Sequence, residues 1–328
     1  MDLQFEVIEL LISLKKNQEA IGALENILTV DPSNARAYLY LGDLYYRQES
    51  YEAALDAYNI VLALTGKGSP ELWNKLGVLY VKMERLGDAK KAYSKALKMQ
   101  RDYPETYYNL GVLALEESSL DKAEEFLQQA IRLRPQYVEA YHQLAELYTR
   151  REQYRQAADA YLKVLEYAPD AAHVKLDLAV CYAKLKEYDK AQAIYEEILE
   201  NDSSYFKAWF NIGLVYYQQK EYEKSREALE KAVALEPEDE KAYRALAKTY
   251  SASKQHEKAI EILKQLLEKN PSDIKTRLAY ARSYYRADKR ATALSEYKKV
   301  LSLDPENSVA QKMIDRLEAA KTEDNASK

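Results

Sequence analysis

The sequence predicts an all-α array of antiparallel helix pairs, from three observations that share one period. A Leu-Gly or similar pair followed three residues later by Tyr recurs about every 34 residues: Leu41-Gly42 with Tyr45, Leu76-Gly77 with Tyr80, Leu144-Ala145 with Tyr148. Small residues recur at the eighth and twentieth places of each unit, so two helices can approach closely there. Proline recurs at the thirty-second place, where its missing N–H ends the second helix and turns the chain.

The first unit, residues 1–34, is degenerate, with Ile8 at the small place. Leu3, Phe5, Val7, Ile8, Leu10, Leu11, Ile12 and Leu14 make its first helix apolar around most of its circumference, as in buried helices. Leu3, Leu10 and Leu14 fall on the side that a preceding repeat would cover. An upstream segment, end-to-end self-association or a tolerated exposed helix would each account for that. The stretch lacks a basic leader and a small-residue cleavage site, so it does not read as a signal peptide.

Residues 35–69 pair Gly42 with Ala54 and carry Tyr38 and Tyr58 as the large partners. Their end, Thr65-Gly66-Lys67-Gly68-Ser69-Pro70, holds one extra residue and is expected to stop the helix with a glycine cap. Residues 70–103 follow with Gly77, Ala89, Trp73 and Tyr93, then residues 104–137 with Gly111, Ala123 and Tyr107. Pro104 opens that fourth unit at a helix start, where proline is well tolerated, and Pro135 closes it. Residues 138–171 have Ala145, Ala157, Tyr141, Tyr161 and Pro169; residues 172–205 have Ala179, Ala191 and Tyr195. Residues 206–239 carry Gly213, Ser225, Trp209 and Pro237, residues 240–273 carry Ala247, Ala259, Tyr243 and Pro271, and residues 274–307 carry Ala281, Ala293, Tyr297 and Pro305. Residues 308–321 predict a capping helix with Val309, Met313 and Leu317 on one stripe, and residues 322–328 a polar, disordered tail.

The pattern resembles the tetratricopeptide repeat, with its Trp-x₂-Leu-Gly-x₂-Tyr, Ala-x₃-Phe and Pro signature. The likeness covers roughly residues 1–307, as nine units, and implies a right-handed superhelical solenoid. A lone unit cannot bury enough apolar surface to fold, so each leans on its neighbours and the ends need covering. One elongated domain is expected.

Function then falls to the surface the repeats leave open. The resemblance implies a concave groove lined by first-helix residues at places 2, 5, 6, 9, 12 and 13 of each unit, spacings that form one helical stripe. Tyr46, Val78, Val81, Tyr108, Val112, Leu115, Leu176, Val180, Phe210, Leu214 and Tyr217 occupy it. A solvated face is not usually built this way. The expected occupant is an extended peptide or a partner helix anchored by aromatics, against partial burial between adjacent first helices.

Charge is uneven along the chain, which carries −5 overall: residues 1–239 sum to −11 and residues 240–307 to +6. On the stripe the late repeats offer Lys207, Lys241, Arg244, Lys248, Lys275, Arg282 and Arg286, with Asn211 among them. This basic cradle would suit an acidic segment or a C-terminal carboxylate. One subset of the family clamps chaperone C-termini with a set of Lys, Asn and Arg. Here Asn211 and Lys241 match two of those places, but Leu176, Val180 and Ala245 replace others, which disfavours that role.

No P-loop, dinucleotide fingerprint, His-Glu-x-x-His or paired cysteines mark catalysis, and no cofactor is expected. His142 and His173 lack a third ligand and make a poor metal site. Cys181, the only cysteine, reads as a small buried hydrophobe. The acidic early units argue against nucleic acid, which would need basic residues throughout. No apolar run is long enough to span a bilayer, and a cytoplasmic setting is expected. The sequence therefore reads as a non-catalytic scaffold or adaptor, with a regulatory or targeting arm of a larger enzyme, or a self-assembling complex, as the alternative.

Overall fold

Nineteen helices and no strand make up the described residues of the computed structural model, which cover the backbone of residues 2–326 and the side chains of residues 3–319. They fall into two compact units, Met1–Gln153 and Tyr154–Lys328. The boundary lies within the fifth repeat, at a turn without Gly or Pro, so compactness groups in two what the sequence presents as one array.

The first unit holds α1 (Asp2–Ser13) and α2 (Asn17–Val30), α3 (Ala35–Arg47) and α4 (Tyr51–Thr65), α5 (Pro70–Lys82) and α6 (Leu86–Met99), α7 (Pro104–Glu116) and α8 (Leu120–Leu133), then α9 (Val138–Arg150). The second begins with α10 (Tyr154–Tyr167) and continues through α11 (Ala172–Lys184), α12 (Tyr188–Asn201), α13 (Phe206–Gln218) and α14 (Tyr222–Leu235). It ends with α15 (Glu240–Ala252), α16 (His256–Lys269), α17 (Ile274–Arg286), α18 (Arg290–Leu303) and α19 (Ser308–Ala326).

Each predicted punctuation mark does local work. The second helices α2, α8, α10, α14, α16 and α18 stop two residues before their prolines. Gly66 takes φ of 74° and its N–H bonds to Leu62, the expected glycine cap. Asn34, Ser69, Asp239 and Asp273 cap the first helices that follow them by accepting from backbone N–H groups, as short polar side chains do.

The turn inside each hairpin follows a rule that the period does not announce. Lys15, Glu49, Glu84, Ser118, Glu152, Lys186, Lys220, Lys254 and Asp288 all lie in the left-handed region, with φ between 57° and 65°. Every one is the fifteenth residue of its repeat. Around Glu49, Ser50 N–H donates to Tyr45 at 2.9 Å and Glu49 N–H to Tyr46 at 3.0 Å, the paired bonds of a Schellman cap.

Between the helices of a pair, large side chains fill the space over small ones. Gly42 and Gly77 lie under the rings of Tyr58 and Tyr93, and Gly111 and Gly213 under Leu127 and Leu229. The core is accordingly a series of local clusters: Phe5, Ile8, Leu24 and Leu41 at the start, Tyr58, Leu72, Leu76 and Leu79 next, and Leu229, Leu246 and Leu263 in the second unit.

The ends modify two expectations. On α19 the buried stripe is Ala310, Ile314 and Leu317, packed with Tyr297 and Val300, whereas Val309 is 40% exposed. The helix also runs on to Ala326, past the boundary expected at 321, since neither Gly nor Pro stands there to stop it. Residues 327 and 328 of the expected tail lie outside the described residues. At the other end α1 buries Phe5 and Ile8 while Leu3, Leu10 and Leu14 stay exposed at 75%, 58% and 58%.

Candidate binding face of the first helices

In the first unit, several polar groups on the face built by α3, α5 and α7 bond to one another or to Tyr58 of α4. Asp43 accepts from the Tyr58 hydroxyl at 2.6 Å and from Lys75 Nζ at 2.8 Å. Asn74 Oδ1 accepts from Thr106 Oγ1 and Asn109 Nδ2, each at 3.0 Å. Tyr46, Val78, Val81, Tyr108 and Val112 are half-buried between these groups. Tyr108 packs on Tyr137 with ring centroids 5.1 Å apart, and burial raises the Tyr108 hydroxyl above its ordinary pKa.

Leu115 and Leu176 do not line an open face. Both are buried, at 8% and 6% exposure. Neither is therefore available to a partner as expected.

In the second unit the first-helix face opens into two pockets. One, of 190 Å³, lies between α11 and α13 and is walled by Val180, Asn211, Leu214 and Gln218, with Tyr188 and Tyr195 of α12 reaching in. Tyr195 is fully buried beneath the surface, and its hydroxyl makes no hydrogen bond. Burial, with Cys181 and Asp177 nearby, raises its pKa. Leu214 stands 37% exposed at the rim. Phe210 is half-buried and stacked on Phe206, with ring centroids 6.0 Å apart.

The second pocket, of 240 Å³, lies between α15 and α17, with Lys248, Arg282 and Arg286 in its walls. Its floor includes Ser251 and Ser283, whose hydroxyls are 3.1 Å apart, and Leu263 of α16. Lys248 Nζ sits 4.3 Å above the Tyr217 ring. Burial raises the Tyr217 hydroxyl's pKa, and the Arg286 charge opposes that rise. Tyr217 and Phe210 themselves line neither pocket.

Arg244 lines this pocket but does not act as an open cation there. Its guanidinium lies 2.8 Å from Asp273, 3.0 Å from Glu240 and 3.1 Å from the Thr276 hydroxyl. Asp273 belongs to the turn before α17, off the stripe from which the cradle is read, so the sequence pattern leaves it out. Lys207, Lys241 and Lys275 are exposed at the starts of α13, α15 and α17, outside both pockets. Asn211 lines the apolar pocket, not the basic one. His142 and His173 lie in different units, and Cys181 is fully buried. No helix among the described residues is long and apolar enough to cross a membrane.

Residues 9–69 and 70–103 match profiles of the tetratricopeptide repeat. Residues 102–316 match the repeat profile described as the cilia and flagella-associated protein 70 C-terminal domain. Among curated proteins, none matches the chain by sequence. In fold the chain is similar to the C-terminal part of a repeat-containing protein from Cytophaga hutchinsonii, at 19% identity and a TM-score of 0.62, over 74% of this chain and 99% of that one. A tetratricopeptide repeat protein from Parabacteroides merdae aligns at 16% identity and 0.56, over 76% and 98%. PilW, described as a widely conserved type IV pilus biogenesis factor, aligns at 19% and 0.55, over 62% and 94%. At these identities the likeness is one of fold.

Proposed function

Since the chain belongs to the tetratricopeptide-repeat family, we propose that it is a non-catalytic scaffold that holds a protein partner along its first-helix face. Proteins of this family generally mediate protein–protein interaction. The observation that carries the reading is the pair of open pockets on that face, one apolar beside Leu214 and one basic beside Arg286, with Phe210 and Tyr217 on α13 and the Tyr217 ring against Lys248 of the basic pocket. Aromatic anchors beside unpaired cations suit an extended peptide with an apolar side chain followed by an acidic group or terminal carboxylate. The expected setting is the cytoplasm.

Affinity capture with the purified chain, repeated with Phe210→Ala and Tyr217→Ala together, tests the reading. Partners held on this face should be lost from the doubly changed chain, and should weaken as salt rises from about 0.1 M to about 1 M. If every captured protein survives both treatments, the partner site lies elsewhere.

A second reading rests on the N-terminal end, where Leu3, Val7 and Leu10 of α1 and Leu14 just after it are exposed. Self-association through this helix, or the cover of a larger assembly, would bury it. Light scattering on a concentration series distinguishes that case, because a strict monomer at high concentration removes self-association.

A further inference from the structure

We propose that the pocket between α15 and α17 is a receptor for a phosphorylated side chain of the bound partner, with Arg282, Arg286 and Lys248 as its donors. The inference rests on the reading of the first-helix face as a peptide site, and names the chemical group that one part of it takes.

Three observations point to a doubly charged, compact anion. First, none of the three cations is in an ion pair among the described residues, whereas Arg244 beside them is neutralised by Asp273 and Glu240. Three positive charges around one 240 Å³ pocket call for more than a single carboxylate. Second, the cations converge instead of forming a row. Arg282 and Arg286 are one helical turn apart, so their Cβ atoms are about 5–6 Å from each other, a like-charge pair that costs helix stability. Lys248 faces them from the neighbouring helix, held at the pocket edge by the Tyr217 ring at 4.3 Å. A tetrahedral phosphate offers three oxygens to three donors at once, while a planar carboxylate is filled by one guanidinium fork.

Third, the pocket concentrates this charge. Its floor is made of Ala247, Leu263 and Ala279 with two nearly buried hydroxyls, Ser251 at 6% and Ser283 at 3% exposure. Apolar walls around charges of one sign focus their field on whatever enters. The hydroxyls already bond to each other at 3.1 Å, leaving the guanidinium and ammonium groups as the donors with capacity to spare.

The test is fluorescence anisotropy of the full chain with a short labelled peptide carrying one phosphoserine, its unphosphorylated form, and a form with glutamate in that place. The phosphorylated peptide should bind at least about tenfold more tightly than either other form, a difference of about 1.4 kcal/mol. Inorganic phosphate should compete with it. Its binding should also strengthen as pH rises through about 6, where the phosphate monoester takes its second charge.

Arg282→Gln with Arg286→Gln should remove that preference, while Lys275→Gln, outside the pocket, should leave it. Both arginines are exposed, and circular dichroism on the doubly changed chain verifies its fold. Equal binding of the phosphoserine and glutamate peptides overturns the proposal, as does a preference that survives the double change. Displacement of the phosphopeptide by an oligouridylate at lower concentration than by unlabelled phosphopeptide also overturns it, by assigning the pocket to RNA. If no phosphopeptide binds while capture sensitive to Phe210→Ala and Tyr217→Ala persists, the phosphate site fails and the scaffold reading stands. Loss of both removes the two together.

Discussion

The ring of Tyr58 lies across the Cα of Gly42 so closely that a methyl group there would stand 2.4 Å from Tyr58 Cε1. The same ring ends in a hydroxyl bonded to Asp43, itself bonded to Lys75 of the next repeat. One small residue thus lets a large one cross the hairpin and reach the first-helix face. Gly42→Ala should displace the ring or part the helices and cost about 1–3 kcal/mol. Gly22→Ala and Gly87→Ala, with nothing within 4 Å of the new atom, should be neutral or stabilise by up to about 1 kcal/mol. Urea denaturation followed by circular dichroism checks all three, and equal effects at Gly42 and Gly22 would contradict the packing argument.

This relation explains why so much of the fold is legible in the sequence. Periodic small residues, tyrosines and prolines are local marks of contacts made within about 34 residues, and each recurs several times. The site is less legible because its details come from residues off the stripe. Asp273, in a turn, neutralises Arg244. Tyr195, on a second helix, contributes to the lining of the apolar pocket. Leu115 and Leu176 share the stripe's spacing yet are buried, and spacing along one helix carries no record of what packs over it.

The left-handed residue in every hairpin turn gives a second prediction. Lys220 holds φ at 65° with its side chain exposed, a conformation that costs an L-residue about 1–2 kcal/mol and glycine almost nothing. Lys220→Gly should therefore stabilise the chain by about 0.5–1 kcal/mol after the added freedom of the unfolded glycine is counted. Lys220→Val, β-branched, should destabilise it. A midpoint that falls for the glycine variant would contradict the capping account.

Glu296 and Arg277 form an ion pair at 2.8 Å, with side-chain exposures of 9% and 13%. Lys299 Nζ donates to Glu296 at one end of the network, and the Pro271 carbonyl accepts from Arg277 at the other. Removing one partner strands the other, so Glu296→Ala should cost about 3–5 kcal/mol. Replacing both Arg277 and Glu296 with apolar residues of similar volume should cost much less. Thermal melting of the single and double variants decides, and a larger loss in the double variant would mean that the pair itself is a major source of stability.

Asp273 links stability to pH. Burial alone would raise its pKa, but hydrogen bonds from Thr276 and from backbone N–H groups, with the Arg244 charge, hold it below its ordinary value of 3.8. A carboxyl whose pKa is lower in the folded state contributes stability that is fully present above the unfolded value and disappears as pH falls through the folded one. Asp273→Asn should therefore be less stable than the parent chain at neutral pH, and the gap should narrow as pH drops below 3.8. Above that value the gap should be constant, because the side chain is ionised in both states. Urea midpoints measured for both chains from about pH 5 down to about pH 2 check this. A gap unchanged across that window would show that the charge of Asp273 contributes nothing, leaving only its hydrogen bond to the Lys275 N–H, which asparagine can also make.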